Sequence, residues 1–429
     1  MARAAAILGV HILGPRASPT RVGTLTRDAE GATAFLVDEA YLRDATRPIL
    51  TLGWFVPGDD EATRARLEYR ANKIGLLGSL APWFAGLLPE GALRDLVMTE
   101  MGPGDHDQFD LITRLGGDLP GAVLITPETA TPASAGPLHL ERVHGFEASR
   151  PDGIVKFSLA GVQLKFAGVS CGDKLTVPGR AGETRCIIKV ASEHYPRLPE
   201  AEYAGMTLAC TLGVKTAPFR LIPTADIEGV PAELLRHGDH ALVVDRCDRG
   251  DGGARIHMED MAQIVGALGE RKYTMATVET LLNMIRRFST DWRADALEGF
   301  RRIVADVLIG NGDSHLKNWS FIFPAPGVIR LSPAYDIVPT ILYARNDTLA
   351  LPLVGTHSFE RVNFRRIRRI ADYLGLDPGW IEAELRSLIR EAIPLWPEIL
   401  PNLVGEAAAR EMITRLDTLA LVQEALAAS

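Results

Sequence analysis

The sequence GNGDSHLKNWSFIF, residues 310–323, leads from a helical pattern into an aromatic strand. It places an aspartate, a histidine, a lysine and an asparagine within residues 313–318. The segment before it, residues 292–310, carries apolar side chains at helical spacing and stops at a glycine-rich cluster. Apolar residues therefore flank a short polar stretch on both sides. This pattern predicts either a buried network of hydrogen bonds or a reaction centre.

A hairpin is predicted directly after this stretch. The sequence PAPG is typical of a turn, VIRL of a second strand, and SPAYDI then brings in Asp336. Such a hairpin would place Asn318 and Asp336 side by side at its open end, with Asp313 on the adjoining loop. Mg²⁺ prefers oxygen ligands and leaves room for phosphate oxygens, and the remaining aspartate can accept a proton from an attacking hydroxyl. A capped helix end with a polar turn is the alternative, because the D-x-H-x-x-N pattern is short.

The composition predicts a folded protein of two or three domains, because 429 residues exceed one ordinary core. The net charge of −8 gives no overall basic field, so any contact with nucleic acid must be local. The four cysteines show neither metal-ligand nor redox spacing, which is typical of reduced thiols in a cytosolic protein. No apolar run approaches the roughly 20 residues that a membrane span needs, so no membrane association is expected.

Three modules follow one another along the chain. Residues 4–55 alternate short apolar runs with turn residues, which predicts antiparallel strands, among them PILTLGWFV at residues 48–56. Residues 127–152 are rich in Pro, Ala and Ser and are typical of a connector. Strands then return, and from about residue 258 the pattern is mostly helical. We therefore predict domains at residues 1–150, 151–250 and 251–429.

Two features upstream change the balance between the alternatives. The sequence SLAGVQLKFAG, residues 158–168, places a small-residue turn and Lys165 between two strands, where turn amides and the lysine can bind phosphates; a plain hairpin is the alternative. Lys189 lies in the apolar strand CIIKV and needs an anionic partner, either a phosphate or a carboxylate such as Glu202 or its rival Glu200. The order of these features is that of a protein-kinase-like phosphotransferase.

The segments FSLAGVQLKFA, IIKV, ALVVDRCDR, HMEDMAQIVG, GNGDSHLKNWSFIF and RLSPAYDIVPT together resemble the HipA family of serine/threonine kinase toxins. Upstream, RVGTLTRDAEGATAFLVDEAYL, FAGLLPEGALRDLV and DQFDLITRLGGDLPGAVLI are similar to the N-terminal subdomain of that family. The resemblance covers nearly the whole chain. It implies a two-lobed, protein-kinase-like α+β fold with a β-rich N-terminal lobe, an extra N-terminal subdomain and an all-helical C-terminal lobe.

The resemblance also assigns roles to residues. It implies that Asp313 is the catalytic aspartate, that Asn318 and Asp336 bind Mg²⁺, that Lys189 binds the phosphates of ATP, and that Ser158 is an autophosphorylation site. The remaining nucleotide-binding set is Ala160, Gly161, Val162, Gln163, Leu164, Lys165, Asp245, Arg246, Cys247, His315, Leu316, Lys317 and Tyr335. Two departures stand out: Leu164 replaces a glutamate that occurs in the family, and Cys247 stands where the hinge beside adenine can carry a phenylalanine.

The family implies a setting in the bacterial cytoplasm with three kinds of partner. These are a helix-turn-helix antitoxin resembling HipB, operator DNA bound through the toxin–antitoxin complex, and a protein substrate such as an aminoacyl-tRNA synthetase. A catalytically silent nucleotide-binding corepressor and a small-molecule phosphotransferase are the alternatives. The sequence RVNFRRIRRIADYLGL adds a basic cluster in which Arg365, Arg366 and Arg369 lie near one flank of a predicted helix. The cluster is interpreted either as solvated surface or as contacts to the DNA backbone.

Overall fold

The computed structural model describes residues 6–14, 19–128, 165–171, 174–176, 184–195, 197–230, 232–251 and 254–427. Ser158 and the expected phosphate loop at residues 160–164 lie outside this part of the chain. Within the described part, no helix has both the length and the apolar character that crossing a bilayer requires.

The N-terminal domain is a five-stranded sheet with the order β4-β3-β2-β1-β5 and five short helices. Its strands are β1 (Ala6–Leu13), β2 (Pro19–Arg27), β3 (Thr33–Val37), β4 (Ile74–Gly75) and β5 (Val123–Pro127). Its helices are α1 (Glu39–Arg43), α2 (Asp60–Glu68), α3 (Pro82–Gly86), α4 (Gly91–Glu100) and α5 (Gln108–Leu115). Leu8, Val10 and Ile12 alternate along β1 and are buried, as expected for a strand with one face on a core.

The segment at residues 48–56 forms no strand, and the prediction of one there was wrong. It is a loop that packs against the C-terminal lobe. The buried carboxyl of Glu259 accepts hydrogen bonds from the hydroxyl of Thr51, the backbone N–H of Leu52 at 2.8 Å and the indole N–H of Trp83 at 2.8 Å. The apolar alternation of this segment therefore reflects burial between domains and not membership of a sheet.

A six-stranded sheet follows, with the order β10-β7-β6-β8-β11-β9. Its elements are β6 (Lys165–Cys171), β7 (Lys174–Thr176), β8 (Cys186–Lys189), α6 (Leu198–Thr211), β9 (Phe219–Pro223), β10 (Ile227–Glu228), α7 (Ala232–Leu235) and β11 (His240–Asp245). Antiparallel pairing of β6 with β8 sets Lys165 directly opposite Lys189. Directly opposed residues project to the same face of a sheet, so both lysines approach the same space.

The C-terminal lobe is mostly helical but also contains a three-stranded antiparallel sheet, which the expectation of an all-helical lobe did not include. Its strands are β12 (His257–Asp260), β13 (Ser320–Ala325) and β14 (Val328–Leu331). Its helices are α8 (Met261–Val265), α9 (Val278–Phe288), α10 (Trp292–Ile309), α11 (Phe364–Leu374), α12 (Pro378–Ala392), α13 (Trp396–Val404), α14 (Glu406–Leu416) and α15 (Ala420–Leu426). The predicted hairpin is β13–β14, and β12 joins it because the edge of β13 is otherwise unpaired.

Candidate active site

A cavity of about 240 Å³ collects the predicted site residues from all three parts of the chain. Asp313, Asn318 and Asp336 line it together, and three lysines face it. The N-terminal domain supplies one wall, which sequence reasoning did not anticipate. The lining residues are Pro89, Glu90, Leu93, Lys165, Leu198, Glu202, Lys272, Asp313, His315, Lys317, Asn318, Asp336 and Val338.

The loop that carries Asp313 is held in place through hydrogen bonds to its backbone atoms. Helix α10 ends at Gly310, whose φ of 79° lies in the left-handed region that glycine adopts without strain. The backbone oxygen of Asp313 accepts bonds from the N–H of His315 at 2.8 Å and from the side-chain amide of Asn318 at 3.0 Å. Gly312 donates its N–H to the hydroxyl of Thr340 at 2.7 Å. These bonds fix the loop independently of the carboxyl group of Asp313.

The carboxyl group of Asp313 is buried, with 6% of the residue exposed. The hydroxyl of Tyr273 donates a hydrogen bond to its Oδ1 at 2.6 Å. Burial raises the pKa of Asp313 to about 6, against the Tyr273 hydrogen bond and Lys272, which lower it. A general base works best when its pKa lies near the operating pH, so this environment suits proton transfer.

A cluster of two lysines and two carboxylates lies on one side of the cavity; we call it the Lys189 cluster (Lys165, Lys189, Glu202 and Asp336). The ammonium of Lys189 contacts the carboxylates of Glu202 and Asp336, and Lys165 lies 3.1 Å from Asp336 Oδ2. Burial lowers the pKa of Lys189 to about 7, although Glu202 opposes this shift. The partner of Lys189 is thus Glu202, whereas Glu200 lies 3.3 Å from His240.

Asp336 adopts a φ of 56°, which non-glycine residues rarely adopt. The strained conformation places its carboxylate between Lys165 and Lys189. Strain of this kind persists where the surroundings enforce it, and it is concentrated at functional sites.

A second cluster also lines the cavity; we call it the Glu90 cluster (Glu90, Lys272 and Lys317). The two carboxylate oxygens of Glu90 lie 3.0 Å from the ammonium of Lys272 and 3.1 Å from that of Lys317. Burial acts to raise the pKa of Glu90, but Lys317 and Lys272 outweigh it, and the pKa lies below its usual value. Neither Glu90 nor Lys272 was identified from the sequence, and only Lys317 belongs to the predicted loop.

The other predicted loop residues differ in what they can offer a ligand. His315 is buried, lines the cavity, and has no partner for either ring nitrogen among the described residues. Burial lowers its pKa well below 6.5, so the ring is neutral and keeps one donor for a phosphate oxygen. Leu316 is fully buried in the core, and the hydroxyl of Tyr335 bonds Ser320 and the backbone oxygen of Lys317. These two side chains order the loop from behind.

Two family models account for most of the chain. One described as the HipA-like C-terminal domain matches residues 157–396, and one described as the HipA N-terminal domain matches residues 16–126. The chain belongs to the HipA family. The resemblance found in the sequence is confirmed.

Named relatives agree with this assignment. A protein of Sinorhizobium fredii named putative kinase Y4dM is 33% identical over 97% of this chain and 98% of its own length. The serine/threonine-protein kinase toxin HipA of Shewanella oneidensis is 24% identical over 86% of this chain and 84% of its own length. A solved complex of HipA, HipB and operator DNA from that organism covers 97% of this chain and 99% of its own, at 20% identity and a TM-score of 0.72. This likeness confirms the predicted two-lobed α+β fold.

The HipA hinge predicted at Asp245, Arg246 and Cys247 begins at the last residue of β11. The backbone N–H of Asp245 donates to the backbone oxygen of Pro218, and that of Arg246 to the backbone oxygen of Arg185, both at 2.8 Å. The guanidinium of Arg246 is buried and bonds the carboxylate of Asp248. The sulfur of Cys247 lies 3.7 Å from that of Met258. Of the three hinge N–H groups, Cys247 alone has no backbone oxygen as partner within the described residues.

The donor set also fits the Mg²⁺ that the HipA family implies. Among the described residues, no three His, Cys, Asp or Glu side chains cluster as a metal site. Mg²⁺ needs no such cage, because it is usually held by one or two protein oxygens together with water and phosphates. The side-chain amide nitrogen of Asn318 donates to the backbone oxygen of Asp313. The side-chain oxygen of Asn318 is left without a partner among the described residues. That oxygen and the Asp336 carboxylate, both on the cavity wall, would hold the ion.

The basic cluster predicted at α11 divides into two kinds of arginine. Arg365 and Arg369 are exposed. Arg366 is half-buried, and its guanidinium donates to the backbone oxygens of Arg361, at 3.1 Å, and of Val354. It ties the helix to the preceding loop. Helical periodicity grouped Arg366 with the two exposed arginines, because it does not report which neighbouring backbone oxygens a side chain reaches.

Proposed function

We propose that this protein is an ATP-dependent serine/threonine protein kinase that acts as the toxin of a HipBA-type module. The observation that carries the proposal is that Asp313 faces the same cavity as Asn318, Asp336 and Glu202, and that Lys189 contacts both Glu202 and Asp336. A base, a pair of metal ligands and a lysine held by a glutamate are the parts that phosphoryl transfer requires. All of them are present in this chain, which argues against a catalytically silent corepressor.

The chain's own residues divide the work as follows. Asp313 accepts the proton of the attacking hydroxyl. Lys189, Lys165 and Lys317 bind phosphate oxygens, and the neutral ring of His315 donates one further hydrogen bond. Asn318 and Asp336 would hold the Mg²⁺, which would supply charge neutralisation to the phosphates when bound. Leu198 and Val338 give the cavity apolar surface that limits the access of water.

Asp313→Asn tests the proposal directly. The change is nearly isosteric, but an amide cannot accept the hydroxyl proton, and loss of a general base reduces a rate by about 10²- to 10⁴-fold. We expect labelled ATP to mark a protein band in a cell lysate with the wild type and not with the variant. We also expect growth arrest only with the wild type when each is expressed without an antitoxin. Equal labelling and equal toxicity would refute the kinase mechanism, and a labelled small molecule would indicate a small-molecule phosphotransferase instead.

Ser158 is proposed as a self-inactivating phosphorylation site. A phosphate adds about −1.5 to −2 charges, and at Ser158 it would stand next in sequence to the loop proposed to receive the phosphates of ATP. Like charges would then oppose nucleotide binding. Mass spectrometry of protein prepared with ATP should find a phosphorylated peptide containing Ser158. An unmodified peptide from catalytically active protein would contradict the switch.

The proposed setting is the bacterial cytoplasm. The proposed partners are a HipB-like antitoxin, operator DNA reached through the toxin–antitoxin complex, and a translation-related substrate such as an aminoacyl-tRNA synthetase. The similarity to a HipA solved with HipB and operator DNA supports the first two partners. Identification of the labelled band in the lysate tests the third.

A further inference from the structure

The carboxyl group of Asp313 has one hydrogen-bond partner among the residues that the structure describes. The hydroxyl of Tyr273 donates to Oδ1 at 2.6 Å, and no described residue donates to Oδ2. Tyr273 lies 40 residues upstream and outside every motif that pointed to the site. Both residues are buried, at 6% exposure each, so the bond forms away from bulk solvent.

Tyr273 is itself held in place on several sides. It ends the 3₁₀ helix at Gly269–Tyr273, and its ring packs edge-on against His315 with the ring centres 5.0 Å apart. The ammonium of its neighbour Lys272 donates a hydrogen bond to Glu90 at 3.0 Å. Because packing and an ion pair both fix this short segment, the hydroxyl is placed before any substrate arrives.

The bond has a chemical consequence for the base. The terminal torsion of an aspartate is soft, so an unrestrained carboxyl group rotates over a broad range. A donor on Oδ1 fixes the plane of the group and leaves Oδ2 for the substrate hydroxyl. The loop backbone is already held by His315, Asn318 and Thr340, so the tyrosine hydroxyl is not needed to keep the loop in place.

We propose that Tyr273 is a positioning residue that orients the carboxylate of Asp313 for proton transfer from the acceptor hydroxyl. This inference rests on the proposed kinase function and deepens it. It assigns to the segment Gly269–Tyr273 a part in the reaction that neither its sequence nor its distance along the chain suggests.

Tyr273→Phe is the test, because it removes the hydroxyl and keeps the ring that packs on His315. We expect the kcat for transfer from labelled ATP, to the labelled lysate protein or to water, to fall roughly 10- to 100-fold, as for the loss of a hydrogen bond to a charged group. The KM for ATP should stay within experimental error of the wild type, and the melting temperature should fall by no more than the loss of one buried hydrogen bond produces. Tyr41→Phe is the matched control: it removes another buried tyrosine hydroxyl, bonded to the backbone oxygen of Pro48 in the N-terminal domain, and should leave kcat unchanged.

The outcomes separate the inference from the function on which it rests. An unchanged kcat in Tyr273→Phe, with an active wild type, overturns the role of the tyrosine alone. A fall in kcat accompanied by a higher KM and a lower melting temperature makes Tyr273 a structural residue and also overturns it. A wild type without any phosphoryl transfer, or Asp313→Asn with the wild-type rate, overturns the kinase proposal, and the inference fails with it.

Discussion

The Lys189 cluster and the Glu90 cluster lie at one cavity, use the same pairing of lysine with carboxylate, and differ in burial and in origin. In the Lys189 cluster, Glu202 is fully buried, and every member comes from the six-stranded sheet, α6 or the C-terminal lobe. In the Glu90 cluster, the carboxylate belongs to the N-terminal domain and is 34% exposed. The first cluster belongs to the proposed nucleotide-binding part of the molecule, whereas the second brings a residue of the N-terminal domain to the cavity that contains Asp313.

Burial decides how much each pair matters to stability. Removing one partner of a buried pair strands a charge that water cannot reach, whereas a partly exposed pair can exchange its partner for solvent. The clusters should therefore respond differently to mutation. A change in the Lys189 cluster should alter both the free energy of unfolding and nucleotide binding, whereas a change in the Glu90 cluster should alter nucleotide binding alone.

Lys189→Met should have the largest effect. It leaves the fully buried carboxylate of Glu202 without its lysine, and breaking a buried pair in this way destabilises a protein by about 3–5 kcal/mol. Urea unfolding measures this loss, and calorimetric titration should show that Mg-ATP binding is lost. Lys189→Met combined with Glu202→Leu should recover stability but not binding. A double variant as unstable as the single one would show that the pair is not the origin of the loss.

Glu90→Gln should change stability by less than about 1 kcal/mol, because Glu90 and Lys317 are partly exposed and the amide oxygen of glutamine can still accept a hydrogen bond from the buried ammonium of Lys272. The affinity for Mg-ATP should rise several-fold, since the change removes a negative charge beside two lysines that face the phosphate site. Titration calorimetry measures it without turnover. Glu128→Gln is the matched control, because Glu128 is 28% exposed and pairs with Arg21 in the same domain. Unchanged or weaker binding in Glu90→Gln would assign Glu90 to holding the lysines and not to competing with phosphate.

Glu259 offers a smaller, pH-dependent test at the same domain boundary. Its carboxyl bonds Thr51, Leu52 and Trp83, with no lysine or arginine bonded to it in the described part of the chain, and burial raises its pKa to about 8. The folded state therefore holds this proton more tightly than the unfolded state, whose pKa is near 4.5. The contribution of Glu259 to stability is complete below about pH 4.5 and is lost as the pH rises through about 8.

Glu259→Gln should be less stable than the wild type at low pH, and the difference should shrink as the pH approaches about 8. Unfolding in urea at a series of pH values measures the difference in the free energy of unfolding between the two proteins. The contributions of the other buried acids are the same in both proteins and therefore cancel. A difference that stays constant with pH would mean that Glu259 is ionised throughout and that its three donors outweigh burial.

The exposed arginines of α11 should have the smallest effect on the enzyme. Arg365→Ala with Arg369→Ala should leave phosphoryl transfer unchanged, because neither side chain lines the cavity. If the pair touches operator DNA in the complex with antitoxin, the salt slope of binding should fall by about two. Arg43→Ala with Arg70→Ala, which removes the same charge from the N-terminal domain, is the control. An equal salt slope in both variants would show that Arg365 and Arg369 do not contact the DNA.

Two kinds of site residue could be predicted from the sequence: residues that are close together in the chain, and residues whose own chemistry requires a partner. Asp313 and Asn318 lie on one loop. Lys189 indicates an anionic partner by itself, because a lysine in an apolar strand requires one. Glu90, Lys272 and Tyr273 escaped detection because nothing local connects residue 90 with residues 272 and 273. One signal was available for Glu90: the polar interruption Pro89-Glu90-Gly91 between apolar runs, with Gly91 at a φ of 56°. The loop at residues 48–56 was misjudged because burial between domains produces the same alternation as burial against a sheet.

The opposition of Lys165 and Lys189 across β6 and β8 has a consequence for the charge balance of the whole cavity. With Lys272 and Lys317 they make four ammonium groups, against the four carboxyl groups of Glu90, Glu202, Asp313 and Asp336. Among the described residues, then, the cavity is close to electroneutral before anything enters it. Phosphates that arrive with their counter-ion disturb that neutrality less than bare phosphates do. The proposed preference for a metal-bound nucleotide would thus depend on all eight side chains, and we expect it to persist in weakened form when either Asn318 or Asp336 is replaced.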